Sequence, residues 1–267
     1  MADGSIPELM ASARHMFLVA GLILPRMGAL FTLAPVLGGK SIHGVIRNAI
    51  LLSFVLMVYP MVAPSMAGPS PSWPVIFAVI AKEMAVGMLM GFVVGIAFWA
   101  VEGVGYLIDN QRGTTMASVV DPLSGEQTSP MGSFFLQVLI VLFFSTGGFL
   151  ALLAMVFESY RVWPVFSFYP HLDVPLVAFF LSRADHLMLL ILLWSSPIVI
   201  ALFVSEFGLG LINRFSPQLN VFFLSMPIKS AVAGALLILY VSFLLGYSRD
   251  ELGRLDQALA FLQGVVR

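Results

Sequence analysis

Long apolar runs recur along the chain at Met16–Leu37, Val45–Ala63, Pro74–Val101, Met131–Phe157, His186–Phe207 and Ile228–Tyr247. Each is near or above the roughly 20 residues an α-helix needs to cross a hydrocarbon core. The pattern predicts about six spanning helices in an all-α, multi-helix integral membrane protein. Polar connectors separate the runs. Gly38–Arg47 is a short loop, Ala63–Pro74 is a Pro/Gly/Ser break that a helix does not run through, and Glu102–Pro130 is a longer polar insert. Glu158–Asp185 sets Pro164, Pro170 and Pro175 among Trp163, Phe166, Phe168 and Tyr169, which suits an interface or an irregular segment packed on protein. From Ser248 the chain reads as an amphipathic helix with Leu252, Leu255, Leu259, Leu262 and Val266 on one stripe. Docking of that stripe within its own protein is favoured over the membrane surface.

Ser205–Ser230 departs from this pattern. It threads Glu206, Asn213, Arg214, Gln218, Asn220 and Lys229 through apolar sequence that also carries Pro217 and Pro227. A charge near the bilayer centre costs roughly 2.5–3.5 kcal/mol on insertion scales, so something other than lipid is expected to face this segment. The rest is a lipid-soluble composition: 60% hydrophobic, 10% charged, with a mean hydropathy of +1.00. Soluble domains run at roughly 45–50% apolar and 25% charged. A net charge of −1 gives no sign of nucleic acid or of an electrostatically captured partner. The absence of Cys excludes disulfides and thiolate metal sites. Asp3 and Glu8 precede Arg14 and His15, and the first run breaks at Pro25-Arg26 without a small-residue cleavage pattern, so a removed signal peptide is not expected.

Loop cations do not orient the chain. Arg14, Arg161, Arg183, Arg249, Arg254 and Arg267 fall on one side of a six-span topology, against Lys40, Arg47, Arg112, Arg214 and Lys229 on the other. Either the boundaries differ from the runs or these helices are not ordinary lipid-spanning elements.

The third run holds the clearest packing signal. Gly87, Gly91 and Gly95 repeat every fourth residue, so one helix face is nearly flat and another backbone can approach it closely. Lys82 and Glu83 are neighbours whose side chains leave a helix about 100° apart, so they are expected to take separate partners rather than each other. Those partners are either water reached by snorkelling or other subunits and a passage. Arg26 follows Pro25, which removes a backbone donor, and local satisfaction of freed carbonyls by Arg26 is the simplest expectation.

Catalytic and cofactor signals are poor. Gly39-Lys40-Ser41 ends like a phosphate loop, but Ala34 stands where that loop needs Gly. His15, His43, His171 and His186 are scattered without metal-ligand spacing. Ser195-Ser196 lies far from His186, and no G-x-S-x-G occurs. No enzyme activity, cofactor or metal is expected. The 15 methionines fit core filling better than a deformable seal around a chain in transit.

The blocks FWAVEGVGYLIDNQRGTTMASVVDP, QTSPMG and SEFGLGLINRFSPQLNVFFLSMPIKSA, with the earlier LPRMGALFTLAPVL and KEMAVGMLMGF, resemble the T subunit of the bacterial type III secretion export apparatus, the SctT/FliR/SpaR-like family. The DNQRG and MPIKS blocks are more similar to the injectisome branch than to the flagellar one. The resemblance implies bent helical hairpins, an R-like part over about residues 1–180 followed by an S-like part over about 181–267. It implies one T subunit joining five R and four S subunits in a funnel-shaped hetero-oligomer of the bacterial inner membrane, partly raised to the periplasmic side within the basal body. A U-type switch protein, an export gate and translocating unfolded proteins are the further partners implied. Pore formation without covalent chemistry is the implied role, with virulence effectors as cargo. Lys82, Glu83, Asp109, Asn110, Gln111, Arg112, Glu206, Asn213, Arg214, Gln218, Asn220 and Lys229 are then expected at inter-subunit or lumen contacts, and Gly87, Gly91 and Gly95 at helix packing. A self-contained transporter with broken helices and a midplane polar site, using Pro25, Pro197, Pro217 and Pro227 as breaks, remains the alternative.

Overall fold

A computed structural model of the chain describes residues 6–37, 44–66, 71–113, 129–168, 174–216, 218 and 221–253. The Gly39-Lys40-Ser41 motif, residues 114–128 of the polar insert, Asn220 and the tail beyond Gly253 lie outside the described residues. Seven α-helices follow one another among the described residues: α1 Ile6–Leu33, α2 Gly44–Val62, α3 Trp73–Arg112, α4 Pro130–Ser145, α5 Gly148–Val162, α6 Val174–Phe215 and α7 Val221–Gly253. A short 3-10 turn, Ala63–Met66, follows α2. No strand occurs among the described residues.

Five of these helices are long and apolar enough to cross a membrane, and α4 with α5 forms a broken sixth candidate. The chain is an all-α, multi-span membrane protein. The apolar runs mark the helices but not their ends. α3 has 40 residues and continues through Glu102–Arg112, so the first part of the polar insert is helix rather than loop. α6 has 42 residues and begins at Val174, inside the connector, with Pro175 in its first turn, where a missing N–H costs no helical hydrogen bond. The fourth run breaks at Thr146-Gly147, where Gly147 has φ +81°, a left-handed conformation that Gly adopts without a Cβ penalty.

Chain contacts divide the protein into two compact units. The first contains the described residues up to Gly95 together with those of Gly147–Val177. Its core joins Ile23, Met27 and Leu30 of α1, Val55 and Val58 of α2, Val86 and Met90 of α3, and Leu152 and Val156 of α5. Phe31 stacks on Phe54, and Phe54 meets Phe149, with ring centroids 6.0 and 5.9 Å apart. The second unit contains the described residues of Ile96–Thr146 and Ala178–Arg254. There Phe98 and Phe143 meet edge to face at 5.4 Å, and Ile108, Leu139, Trp194, Ile198, Ala233 and Leu244 are buried as well.

Glycines set the closest helix crossings. A Cβ on Gly87 would overlap the Arg26 carbonyl and come within 2.9 Å of Ala29 Cβ, and one on Gly91 would sit 2.8 Å from Leu30 O. α1 therefore lies backbone to backbone on α3, and Gly95 is buried one turn further on. In the second unit α3 and α4 cross at Gly105 and Gly132, where a Cβ on Gly132 would be 2.9 Å from Glu102 O. That second crossing leaves no mark in the sequence, because Gly105 lies in the polar insert, Gly132 in the fourth run, and the two show no repeat.

Candidate functional site

Among the described residues, three polar assemblies interrupt the apolar helices. The first is in the first unit. Arg26, fully buried on α1, donates from Nε to Glu83 Oε2 at 2.7 Å and from Nη2 to Glu83 Oε1 at 2.8 Å. This is a fork-to-fork pair, the geometry in which guanidinium and carboxylate bind most strongly. Its remaining reach goes to Ser159 Oγ at 3.1 Å and to Trp163 O at 2.9 Å. Tyr160 lies against the guanidinium, 4.1 Å from Cζ to ring centroid, and donates its hydroxyl to Ile23 O at 3.1 Å. Arg26 thus ties α1 to α3 and α5 rather than repairing carbonyls of its own helix beside Pro25, which corrects the expectation of local satisfaction.

Lys82 and Glu83 also correct an expectation. Lys82 Nζ lies 2.7 Å from Glu83 Oε1. Their Cβ atoms do diverge, but the four-carbon Lys stem curls back far enough to bring the ammonium to its neighbour. Nζ also donates to Pro164 O at 3.0 Å, Val165 O at 2.6 Å and Ser167 O at 3.2 Å. The Lys82 side chain is 11% exposed, so it does not snorkel to water. Glu83 therefore sits between two cations and has no exposed surface. Burying a lone carboxylate is expensive, and pairing with further hydrogen bonds is what makes this burial tolerable.

The second assembly is in the second unit, at the carboxyl end of α3. Asp109, 2% exposed, pairs with Arg112 through Oδ1. Its Oδ2 accepts from Ser129 Oγ at 2.6 Å and from the Met131 amide at 2.9 Å. Ser129 caps α4 by accepting from Gly132 N at 2.9 Å. A carboxylate and a hydroxyl thus satisfy orphan amides at the helix start, and Pro130 occupies the position where no amide is needed. Arg112 Nε is buried without a hydrogen-bond partner among the described residues. Asn110 is exposed and Gln111 half-exposed on the same final turn of α3.

The third assembly belongs to the α6/α7 hairpin of the second unit. Lys229 Nζ donates to Glu206 Oε2 at 3.3 Å, and His186 Nε2 meets Glu251 Oε1 at 2.9 Å. The two pairs clamp opposite ends of one antiparallel hairpin. Sequence reasoning does not find the His186–Glu251 pair, because its members fall in different predicted elements with no shared motif. Glu206 is 58% exposed although paired. Asn213, Arg214 and Gln218 are exposed near the turn, and so are the large apolar side chains of Phe203, Phe207, Leu211, Ile212 and Phe215, the last at 84%. Water suits the first group and lipid the second; a protein surface of mixed character suits both.

The model of the family described as bacterial export proteins, family 1, matches residues 17–255. The chain belongs to this family. It is 46% identical over 220 residues to the Yop proteins translocation protein T of Yersinia pestis, covering 82% of this chain and 84% of that one. Identity with the surface presentation of antigens protein SpaR of Salmonella typhimurium is 34% over 229 residues, 85% and 84% of the two chains. With the flagellar biosynthetic protein FliR of Bacillus subtilis it is 28% over 223 residues, 83% and 85%. This family member stands nearer the injectisome relatives than the flagellar ones. The long apolar helices and the family together indicate the inner membrane.

Proposed function

We propose that the chain is a structural, pore-forming subunit of a type III secretion export apparatus, helping to form the inner-membrane portal through which unfolded effector proteins leave the cell. One observation carries the reading: on the α6/α7 hairpin, polar and large apolar side chains lie exposed together on helices of spanning length. Neither lipid nor water alone matches that surface, and family membership supplies the kind of assembly that does. The relatives' names support the same direction, since they are called translocation and flagellar biosynthetic proteins.

In this reading residues 1–180 form an R-like part and 181–267 an S-like part, and one copy joins five R and four S subunits. The U-type switch protein and the export gate adjoin the complex, which is partly raised to the periplasmic side. Glu206, Asn213, Arg214, Gln218, Asn220 and Lys229, like Asp109, Asn110, Gln111 and Arg112, stand at subunit contacts or the lumen. Lys82 and Glu83 serve contacts within the chain first, by the geometry above. The subunit performs no covalent chemistry; it conducts and gates.

An in-frame deletion in the host, complemented in trans, tests the role. Effector release into the medium is expected to stop and to return with the wild-type chain. Undiminished release from the deletion strain overturns it. A photo-crosslinking residue at Gln111 separates the pore from a purely peripheral place: crosslinks to a stalled substrate are expected, and their absence during active stalling counts against the lumen.

A further inference from the structure

Lys82 Nζ is surrounded by oxygens. Three are the backbone carbonyls of Pro164, Val165 and Ser167, and the fourth is Glu83 Oε1, at distances from 2.6 to 3.2 Å. The ammonium has only three N–H groups, so this set offers more acceptors than it can use one to one. Glu83 is already matched in charge by Arg26. Lys82 therefore shares the Glu83 carboxylate with Arg26 and completes its coordination with three carbonyl oxygens, as backbone oxygens replace the hydration shell of a free monovalent cation. The carbonyls come from a non-helical stretch after α5, and their convergence is not explained by helix geometry. Trp163 Nε1 adds a donor to Ser167 O at 3.2 Å, and the Pro164 carbonyl also accepts from Ser167 N at 3.0 Å, so the stretch closes on itself around the ammonium.

We propose that residues 164–167 with Glu83 form a monovalent-cation site of ammonium character, occupied in the native protein by the chain's own Lys82, and that this tethered cation fastens the aromatic segment after α5 onto α3. Lys82 is a positioning residue: it acts by holding Trp163 and its neighbours in place. With the side chain cut back to Ala, the oxygens remain and the cavity of the lost stem admits a free ammonium ion. With Met, the stem fills that path while the charge is gone.

Backbone amide exchange of the segment containing residues 163–168, read by mass spectrometry on the full purified chain in detergent, tests this. Lys82→Ala is expected to speed exchange there by about tenfold or more, since hydrogen bonds to a charged group have been lost. Ammonium chloride is expected to restore slow exchange in Lys82→Ala, whereas sodium chloride and tetramethylammonium chloride at the same ionic strength are not. Lys82→Met is expected to exchange fast in all three salts. Exchange in Lys82→Ala that stays at the wild-type rate, or that rises and ignores ammonium, overturns the proposal, as does equal rescue by all three salts. If Lys82→Ala does not hold its fold, recovery of monodisperse protein extracted in ammonium against sodium becomes the readout. Better recovery in ammonium supports the site, and equal recovery overturns it. The proposal stands on the geometry of the first unit, and its outcome is independent of the secretion role.

Discussion

Glu83 lies between Arg26 and Lys82, and this makes the members of the cluster unequal. Removing the carboxylate strands a guanidinium with no exposed surface next to a second cation. Removing the guanidinium leaves the carboxylate with Lys82 as its remaining ion pair. Glu83→Ala is therefore expected to destabilise the chain by about 3–5 kcal/mol, the usual consequence of breaking a buried pair. Arg26→Met, which preserves much of the volume, is expected to cost clearly less. Thermal unfolding of the purified chain in detergent measures both, and an equal or reversed order contradicts the cluster's geometry. The polar character of Arg26, Lys82 and Glu83 is legible in the sequence, because charges inside apolar runs stand out. Their partners are not, because Ser159, Trp163 and the carbonyls from Pro164 onward are at least 82 positions from the residues they bind and carry no spacing signal. The direction of Cβ vectors likewise says little about a Lys whose ammonium sits at the end of a flexible stem.

At the scale of helices, packing is set where side chains are missing. A methyl group at Gly87 would overlap the Arg26 carbonyl, whereas one at Gly21 on α1 would meet nothing within 4 Å. Gly87→Ala is expected to push α1 off α3 and to cost about 1–3 kcal/mol, the usual range for overpacking a fitted contact. Gly21→Ala is expected to be neutral or to stabilise by about 0.4–1 kcal/mol through the unfolded chain. Unfolding midpoints of the two variants decide this, and a harmless Gly87→Ala contradicts the close crossing. The flat face on α3 is legible from glycines at every fourth residue, whereas the crossing at Gly105 and Gly132 is visible only in three dimensions, since neither glycine repeats. Helix ends are poorly marked in the sequence for a single physical reason. Hydropathy reports where lipid is tolerable, but α3 continues through Glu102–Arg112 because Asp109 and Arg112 find their partners in protein. The break at Gly147 does not show in hydropathy, because a left-handed residue inside an apolar run changes direction without changing it; the Gly147-Gly148 dipeptide is the signal that could have found it.

At the scale of the whole molecule, the hairpin of α6 and α7 carries the account. Phe203 is exposed on it and is not itself a member of the polar assemblies described. Phe203→Ala is expected to leave the amount and fold of the membrane-inserted chain unchanged but to lower recovery of the assembled complex severalfold, because a large apolar contact is lost from a fitted interface. Quantitative blotting of membranes beside a tagged pull-down separates the two effects, and full recovery of the complex places that face outside any interface. Legibility is greatest here: the family resemblance rests on the polar blocks around Asp109 and Lys229, whose residues stand out against an apolar background that many membrane proteins share. The central claim is that this chain is one member of an unlike-subunit export complex. Native mass measurement of the tagged chain, extracted from host membranes with its co-produced proteins, tests it most directly. The account expects a particle holding one copy of this chain with several copies of at least two different membrane proteins, and a stable monomer or a homo-oligomer of this chain alone would contradict it.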